Sequence, residues 1–277
     1  MKQQDRLDAF ATLAMAALTA SWGFQQVAIK FANDAISPAF QSGLRCGGAF
    51  VLLMIWCYAR GIKLFERDGT LIAGLIVGFL FASEFAFIYW ALVYTDVARS
   101  ILFLYVSPFV VAIGAHYLLP NERMGLPQVA GLLCAFGGLA LALRDSLSVP
   151  SSTALIGDMM MLVAAVLWAV TTLVIKKTSL VKIHPAKTLA YQLGFTALFI
   201  PGALLAGESG ITRFDGLVAA SLAYQIVVVA FASYLAWFAL VRIYPASTLS
   251  AFTFLSPLFA MLSGAYFLNE KISPLLW

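Results

Sequence analysis

The chain alternates long apolar stretches with short polar ones, and the apolar stretches are about as long as a bilayer is thick. A helix needs about 20 apolar residues to cross the hydrocarbon core of a membrane. Nine stretches approach this length and predict nine membrane-spanning helices, at residues 10–31, 39–58, 71–94, 97–119, 126–143, 154–175, 188–205, 217–240 and 246–268. Pro274 opens a further apolar segment, which predicts the start of a tenth helix.

Turn-forming and charged residues separate these stretches. Examples are the runs 33–34, 66–69 and 207–210, which combine Asn, Asp, Glu, Ser and Gly. A longer polar segment at 144–153 divides the helices into a group of five and a group of four plus the start of the tenth. The pattern therefore predicts an all-α integral membrane protein with two halves, at residues 1–146 and 147–277.

Composition supports the membrane interpretation. Hydrophobic residues make up 62% of the 277 residues and charged residues 11%, whereas about a quarter of a soluble domain is charged. The net charge of +4 comes from basic residues in short loops, which favours a topology signal over a nucleic-acid partner. Cys46, Cys57 and Cys134 lie in apolar stretches without metal-ligand spacing, so no metal site and no cofactor are predicted.

The distribution of Lys and Arg predicts the orientation of the chain. With the N-terminus in the cytoplasm, eleven Lys and Arg residues fall in inner loops and five in outer loops. Because cytoplasmic loops retain positive charge, this count favours a cytoplasmic N-terminus.

Short motifs of the first half recur in the second half at a nearly constant offset. The matched pairs are Trp22 with Trp168, Lys30 with Lys176, Pro38-Ala39 with Pro185-Ala186, Ala91-Leu92 with Ala239-Leu240, Ser107-Pro108 with Ser256-Pro257, and Asn121-Glu122 with Asn269-Glu270. Five helices is an odd number, so the second copy enters the membrane from the opposite side. The sequence thus predicts a ten-helix 5+5 bundle of inverted repeats, the second lacking most of its last helix. A duplication retained for stability in a channel, scaffold or membrane enzyme is the alternative.

The motifs that end each half resemble the drug/metabolite transporter superfamily, whose members carry paired EamA domains. The resemblance covers nearly the whole chain and implies both termini in the cytoplasm, a bacterial-type inner membrane and export of amino acids or related metabolites. Within the superfamily, Ser83-Glu84, Tyr105, Trp168 and the run 233–237 resemble aromatic amino-acid exporters of the YddG type. The implied partners are a small-molecule substrate, with aromatic amino acids as candidates, and the lipid bilayer. The oligomeric state is left open, and a monomer is compatible with the sequence.

Six residues are the candidates for substrate binding. Glu84 lies midway along its predicted helix, where a charged group is costly and therefore needs a reason. It either contacts a substrate ammonium or carries a proton, or it is a neutral acid bonded to a neighbouring helix. Five aromatic residues inside predicted spans offer faces for an apolar or aromatic substrate: Trp22, Tyr105, Trp168, Tyr234 and Trp237. Many membrane aromatics only mark the interfaces, and that alternative stays open.

Four residues are candidates for gating or hinge roles. Pro108 and Pro257 lie inside matching spans, where each removes a backbone hydrogen bond and permits a kink. Arg45 and Arg99 could meet a substrate carboxylate, although Arg45 could equally snorkel to the interface. Lys176 is likewise within snorkelling reach of the headgroups.

Other functional classes find little support in the sequence. The chain contains no Gly-Lys pair and hence no phosphate-binding loop of the GxxxxGK[ST] type. His116 and His184 are the only histidines and form no metal-binding motif, so the prediction is a transporter and not an enzyme. A passive channel and an intramembrane enzyme remain the alternatives to a secondary transporter that works by alternating access through a central cavity.

Overall fold

The computed structural model describes residues 7–95, 97–120, 122–142, 144 and 152–268, and this part of the chain consists of helices joined by short loops. The α-helices are α1 Ala9–Asn33, α2 Pro38–Ala59, α3 Leu71–Tyr94, α4 Val97–Leu104, α5 Ser107–Leu118, α6 Leu126–Ala142, α7 Ser152–Lys177, α8 Pro185–Ala197, α9 Phe199–Leu205, α10 Gly216–Tyr224, α11 Tyr234–Ile243, α12 Ala246–Phe252 and α13 Leu255–Leu268. A 3-10 turn, Ser179–Lys182, precedes α8, and a π-helical segment, Gln225–Ser233, joins α10 to α11.

Some membrane spans consist of two or more consecutive helical segments. One example is the span Arg99–Leu118, which contains most of α4 and all of α5. Within the described residues, seven spans are long and apolar enough to cross a bilayer: Pro38–Ala59, Leu71–Tyr94, Arg99–Leu118, Ser152–Lys177, Pro185–Leu205, Gly216–Ile243 and Ala246–Phe267. The apolar helix α6 is shorter, and α1 is not among the seven. The prediction of an all-α multi-pass membrane protein is confirmed, while the ten-helix arrangement stays a prediction. The boundary at 146–147, Asn121, the Asn269-Glu270 motif and the tenth helix at Pro274 lie outside the described residues.

The two predicted proline sites coincide with breaks in their spans. Pro108 is in the first turn of α5, directly after the break that separates α4 from α5. Pro257 follows the break between α12 and α13 in the same way. A proline nitrogen cannot donate to the carbonyl four residues earlier, so the helix opens one turn before it. The helices are therefore interrupted next to both prolines, and the use of these breaks as hinges stays a prediction.

The π-helical segment has no such sequence signal. Its residues, QIVVVAFAS, contain neither proline nor glycine. Ser233 donates from Oγ to the carbonyl of Val229 at 2.6 Å and accepts a hydrogen bond from Trp22 Nε1 at 2.9 Å. The π segment is thereby joined to α1 immediately before Tyr234 begins α11. Short π-helical stretches inside α-helices are frequent at functional sites.

Glycines allow the helices of the core to approach closely. A Cβ atom at Gly43 would lie 2.7 Å from the backbone nitrogen of Ile200, and one at Gly78 would lie 2.8 Å from the backbone oxygen of Tyr191. Neither position has room for a side chain. Gly47 and Gly74, each four residues from one of these glycines, also lie at close helix contacts, as small residues at this spacing commonly do in membrane proteins.

The helix contacts occur in corresponding pairs. Helix α7 packs on α3 and on α4 and α5, while α1 packs on α10, on the π segment and on α12 and α13. Helix α3 also packs on α8, and α2 packs on the π segment. Exchanging the two predicted halves maps each of these contacts onto another contact in the structure. The contacts are compatible with a two-fold relation between the predicted halves, and that relation stays a prediction.

Candidate functional site

The bundle contains a central cavity with about 800 Å³ of space not filled by protein atoms, part of which is open to solvent. Residues from α1, α3, α4, α7, α8 and α11, together with Tyr105 at the break after α4, line its wall. The wall includes all six predicted substrate-binding residues: Trp22, Glu84, Tyr105, Trp168, Tyr234 and Trp237. The remaining lining residues are Gln25, Gln26, Phe81, Phe85, Ile88, Leu104, Thr171, Thr172, Gln192 and Phe238. The structure thus brings the six together, and their contact with a substrate stays a prediction.

Packing between rings holds the aromatic part of the wall. The ring of Trp237 lies 5.6 Å from that of Trp22 and 6.2 Å from that of Trp168, measured between centroids. Tyr234 packs at 6.5 Å against Trp22 and at 5.7 Å against Phe81. Edge-to-face and tilted contacts at these distances stabilise aromatic clusters. The rings therefore form one aromatic surface in the cavity wall. It is built from α1 and α3 of the first predicted half and from α7 and α11 of the second.

Glu84 supplies the carboxyl group of the cavity wall. It lies near the middle of α3, its residue is 5% exposed, and its Oε2 atom has no hydrogen-bond partner among the described residues. A polar atom that is buried without a partner is costly, and such atoms are usually satisfied in folded proteins. The described structure shows no hydrogen bond from this atom to a neighbouring helix, and the role of Glu84 stays a prediction.

Arg45 lies one layer behind this wall and does not snorkel. The residue is fully buried, and its guanidinium carbon is 4.0 Å from the centroid of the Phe85 ring. Its Nη2 atom contacts Cys46 Sγ at 3.7 Å, while Nε and Nη1 have no partner in the described structure. It lies within electrostatic range of the Glu84 carboxyl group. The snorkelling explanation is wrong for this residue, because its charged end faces the protein interior.

Gln192 lines the cavity and was not among the predicted site residues. The repeat offset places it opposite Arg45 of the first half, and that correspondence is the one sequence signal for it. The residue is fully buried on α8, and neither its amide oxygen nor its amide nitrogen has a partner among the described residues. Thr171 and Thr172, which also line the cavity, donate to carbonyls of their own helix.

Arg99 is held by a carboxylate of the protein. It forms an ion pair with Asp158 in which both side chains are almost fully buried. Asp158 also accepts a hydrogen bond from Thr95 Oγ1 at 2.8 Å. Arg99 is not part of the cavity wall. Sequence reasoning missed Asp158, because a single acidic residue inside a long apolar stretch carries no indication of its partner.

A second buried ion pair joins Lys176 to Glu122, with 3.0 Å between Nζ and Oε1. Lys176 donates to the carbonyl of Tyr244 at 2.6 Å, and Glu122 Oε2 accepts from the backbone nitrogen of Ala246 at 2.8 Å. Lys176 is therefore directed into the protein, and its predicted snorkelling is wrong. The hydroxyl of Tyr244 donates to Asp8 at 2.9 Å, so this cluster also reaches the start of α1.

The two histidines have local structural contacts. His116 Nδ1 accepts a hydrogen bond from the backbone nitrogen of Met124, and His184 Nδ1 accepts one from Ala186 at the start of α8. Within the described ranges, no three His, Cys, Asp or Glu side chains are grouped so that they could hold a metal ion.

Relatives of similar length support a transport function. An "uncharacterized transporter" of Archaeoglobus fulgidus is 27% identical over 253 residues, which is 90% of this chain and 86% of the relative. A protein of Escherichia coli described as a "probable amino-acid metabolite efflux pump" is 26% identical over 267 residues, 92% of this chain and 85% of the relative. An uncharacterized protein of Pseudomonas aeruginosa is 30% identical over 266 residues, 95% of this chain and 86% of the relative.

A solved structure has the same fold. A crystal structure matches with a TM-score of 0.81 and 19% sequence identity, covering 98% of this chain and 92% of its own. The model of the EamA-like transporter family matches residues 9–144 and again residues 155–277. Two consecutive matches cover nearly all of the chain, one in each predicted half. The chain is therefore a member of the EamA-like transporter family.

Proposed function

We propose that the protein is a secondary transporter that exports amino acids or related small metabolites by alternating access through the central cavity. The observation that carries this proposal is the cavity wall. It combines a buried carboxyl group without a hydrogen-bond partner on Oε2, a buried amide without partners and a cluster of aromatic rings, all in the middle of a membrane protein. A charged group at this depth costs about 2.5–3.5 kcal/mol on insertion scales, so it is expected to serve a function.

Export is supported by one relative. The Escherichia coli protein is described as an efflux pump for amino-acid metabolites. The proposal also includes a cytoplasmic N-terminus and a bacterial-type inner membrane, which rest on the positive charge of the predicted inner loops.

Alternating access is supported by the packing of the helices. Corresponding helix pairs contact one another in the two predicted halves. Pro108 and Pro257 follow breaks in spans that contact each other through α5 and α12. Inverted repeats, which the sequence predicts for this chain, can adopt two related packings, each open to one side of the membrane, around a site near the midplane.

Counterflow in proteoliposomes separates a transporter from a passive channel. Vesicles containing the purified protein are loaded with an unlabelled amino acid or amine, and uptake of the labelled compound from outside is followed. A transporter accumulates label transiently above equilibrium, because loaded substrate drives exchange. Label that only equilibrates, without an overshoot, contradicts the proposal and favours a channel.

Trp168→Ala tests whether the cavity binds the transported compound. Loss of this aromatic face is expected to raise the apparent KM about tenfold, the equivalent of about 1.4 kcal/mol. Trp56→Ala is the matched control, since Trp56 packs against His184 and Phe231 and does not line the cavity. Equal KM values for Trp168→Ala and the parent would place the binding site elsewhere.

A further inference from the structure

We propose that the cavity prefers organic cations, namely amines on an apolar or aromatic body, over the corresponding zwitterionic amino acids. This inference rests on the proposed transport function and names the substrate class of the same site. It rests on the charges of the residues that line the cavity.

Among the residues that the structure describes, the cavity wall carries one acidic side chain and no basic one. Glu84 is the acid, and none of the described lining residues is Lys, Arg or His. Its Oε2 atom is buried without a partner in the described structure. A ligand ammonium could donate to this oxygen and form a charge-assisted hydrogen bond, roughly twice as strong as one between neutral groups.

The aromatic rings suit the same ligand group. Trp22, Trp168 and Trp237 line the cavity together with Tyr105 and Tyr234. Aromatic faces attract a cation within about 6 Å of the ring centroid, and the attraction is strongest for tryptophan and for desolvated sites. The remainder of an aromatic or aliphatic amine would find apolar contacts on the same surface.

A ligand carboxylate would find no basic side chain among the described lining residues. Arg45 is not a lining residue, and its guanidinium stacks on the ring of Phe85, which is one. Arg99 is paired with Asp158 and is also absent from the wall. The free amide of Gln192 is a neutral donor, so it replaces the hydration of a carboxylate only in part.

Three compounds that differ only in their charged groups provide the test. Phenethylamine carries the ammonium alone, phenylalanine carries ammonium and carboxylate, and 3-phenylpropionate carries the carboxylate alone. Their binding to the full chain purified in detergent is measured by isothermal titration calorimetry. We expect phenethylamine to bind at least about tenfold tighter than phenylalanine, and 3-phenylpropionate to bind most weakly. Phenylalanine binding as tightly as phenethylamine, or more tightly, would overturn the inference.

Three variants test whether an acidic side chain in the cavity wall causes the preference. Glu84→Gln should bring the affinities for phenethylamine and 3-phenylpropionate to within about threefold of each other. Glu66→Gln, the same change at an exposed loop carboxylate that pairs with Lys63, should leave the preference unchanged. Gln192→Glu provides a second test if Glu84→Gln does not fold, since a second acid in the wall should increase the preference for the amine. An unchanged preference in either cavity variant contradicts the inference.

Transport is measured separately from binding, so that the two proposals can fail independently. Counterflow is measured with labelled phenethyltrimethylammonium, which is permanently charged and cannot cross the bilayer as a neutral amine, and with labelled phenylalanine. Preferential binding of the amine without counterflow of either compound would refute the proposed function and leave the charge preference standing. Counterflow of phenylalanine at least as fast as that of the cation, with matching affinities, would refute the preference and leave the transport function standing.

Discussion

Lys176 Nζ lies 3.0 Å from Glu122 Oε1, and each side chain is 3% exposed. Through the carbonyl of Tyr244 and the backbone nitrogen of Ala246, the pair also joins the end of α11 to the start of α12. The cluster therefore holds together the ends of α7, α11 and α12 and the loop after α5.

Removing one partner of this pair should destabilise the protein strongly. Lys176→Met leaves the Glu122 carboxylate buried without its cation, a change that typically costs about 3–5 kcal/mol. The double variant Lys176→Met with Glu122→Gln should recover part of this loss, because the uncompensated charge is gone. Thermal unfolding in detergent measures both.

Lys63→Met is the matched control for that experiment. Lys63 and Glu66 form an exposed pair at 3.6 Å, and such pairs contribute about 0–1 kcal/mol. Equal loss of stability in Lys63→Met and Lys176→Met would show that burial of the Lys176 pair has no energetic importance.

A loop carboxylate should make stability depend on pH in the acid range. Asp68 accepts a hydrogen bond from Lys187 Nζ at 2.8 Å. This bond, with a smaller contribution from Thr70, lowers the pKa of Asp68 from 3.8 to about 2. The stabilisation is therefore fully present above about pH 4 and is lost as the pH falls toward 2.

Asp68→Asn tests this pH dependence. Its unfolding temperature in detergent should lie below that of the parent by a constant amount above pH 4, and the difference should shrink as the pH approaches 2. A difference that stays constant down to pH 2.5 would mean that the carboxylate is not ionised against Lys187.

Glycines in similar helical positions should respond differently to alanine. A Cβ at Gly78 would meet the backbone oxygen of Tyr191 at 2.8 Å and Phe195 Cβ at 3.1 Å. A Cβ at Gly47 would meet first Ile200 Cδ1, the end of a flexible side chain, at 3.2 Å. Overpacking costs about 1–3 kcal/mol, whereas alanine gains up to about 1 kcal/mol in helix propensity.

Gly78→Ala should therefore lower the unfolding temperature, and Gly47→Ala should leave it nearly unchanged or raise it. Both are measured by thermal unfolding in the same detergent. The reverse order of stability would show that α3 and α8 pack less closely than the structure indicates.

The breaks at the two prolines should affect turnover more than binding. Pro108→Ala restores a donor for the carbonyl of Leu104 and is expected to close the gap between α4 and α5. The maximal counterflow rate should fall several-fold while the dissociation constant stays within about twofold. Pro127→Ala, in the first turn of α6 where proline is well tolerated, is the control. Parental rates in both Pro108→Ala and Pro257→Ala would exclude a hinge role.

Much of the fold and the wall of the cavity could be predicted from the sequence. The length of the apolar stretches predicted the spans. Trp22, Trp168 and Glu84 lie near the middle of their predicted spans, and all three line the cavity. The prolines predicted the breaks because a missing N–H is a local property.

Features that depend on a partner helix could not be predicted in this way. Snorkelling was an open alternative for Arg45 and Lys176, since the distance of a residue from the end of a span does not reveal which side of the helix faces the interior. Asp158 and the π segment at 225–233 depend respectively on Arg99 and on packing against α1 and α2. Neither Asp158 nor the segment 225–233 has a local sequence signal comparable to the proline that marks a helix break.

The most direct test of the central claim is the reactivity of a cysteine placed in the cavity wall. Thr172→Cys is made in protein whose Cys46, Cys57 and Cys134 are replaced by Ala, and it is treated with a membrane-impermeant thiol reagent in right-side-out and in inverted vesicles. Thr172 lines the cavity, so alternating access predicts a reaction from each face. Saturating phenethylamine or phenylalanine, whichever shows counterflow, should slow the reaction from both faces. Reaction rates that the transported compound does not change would contradict the claim that the substrate occupies this cavity.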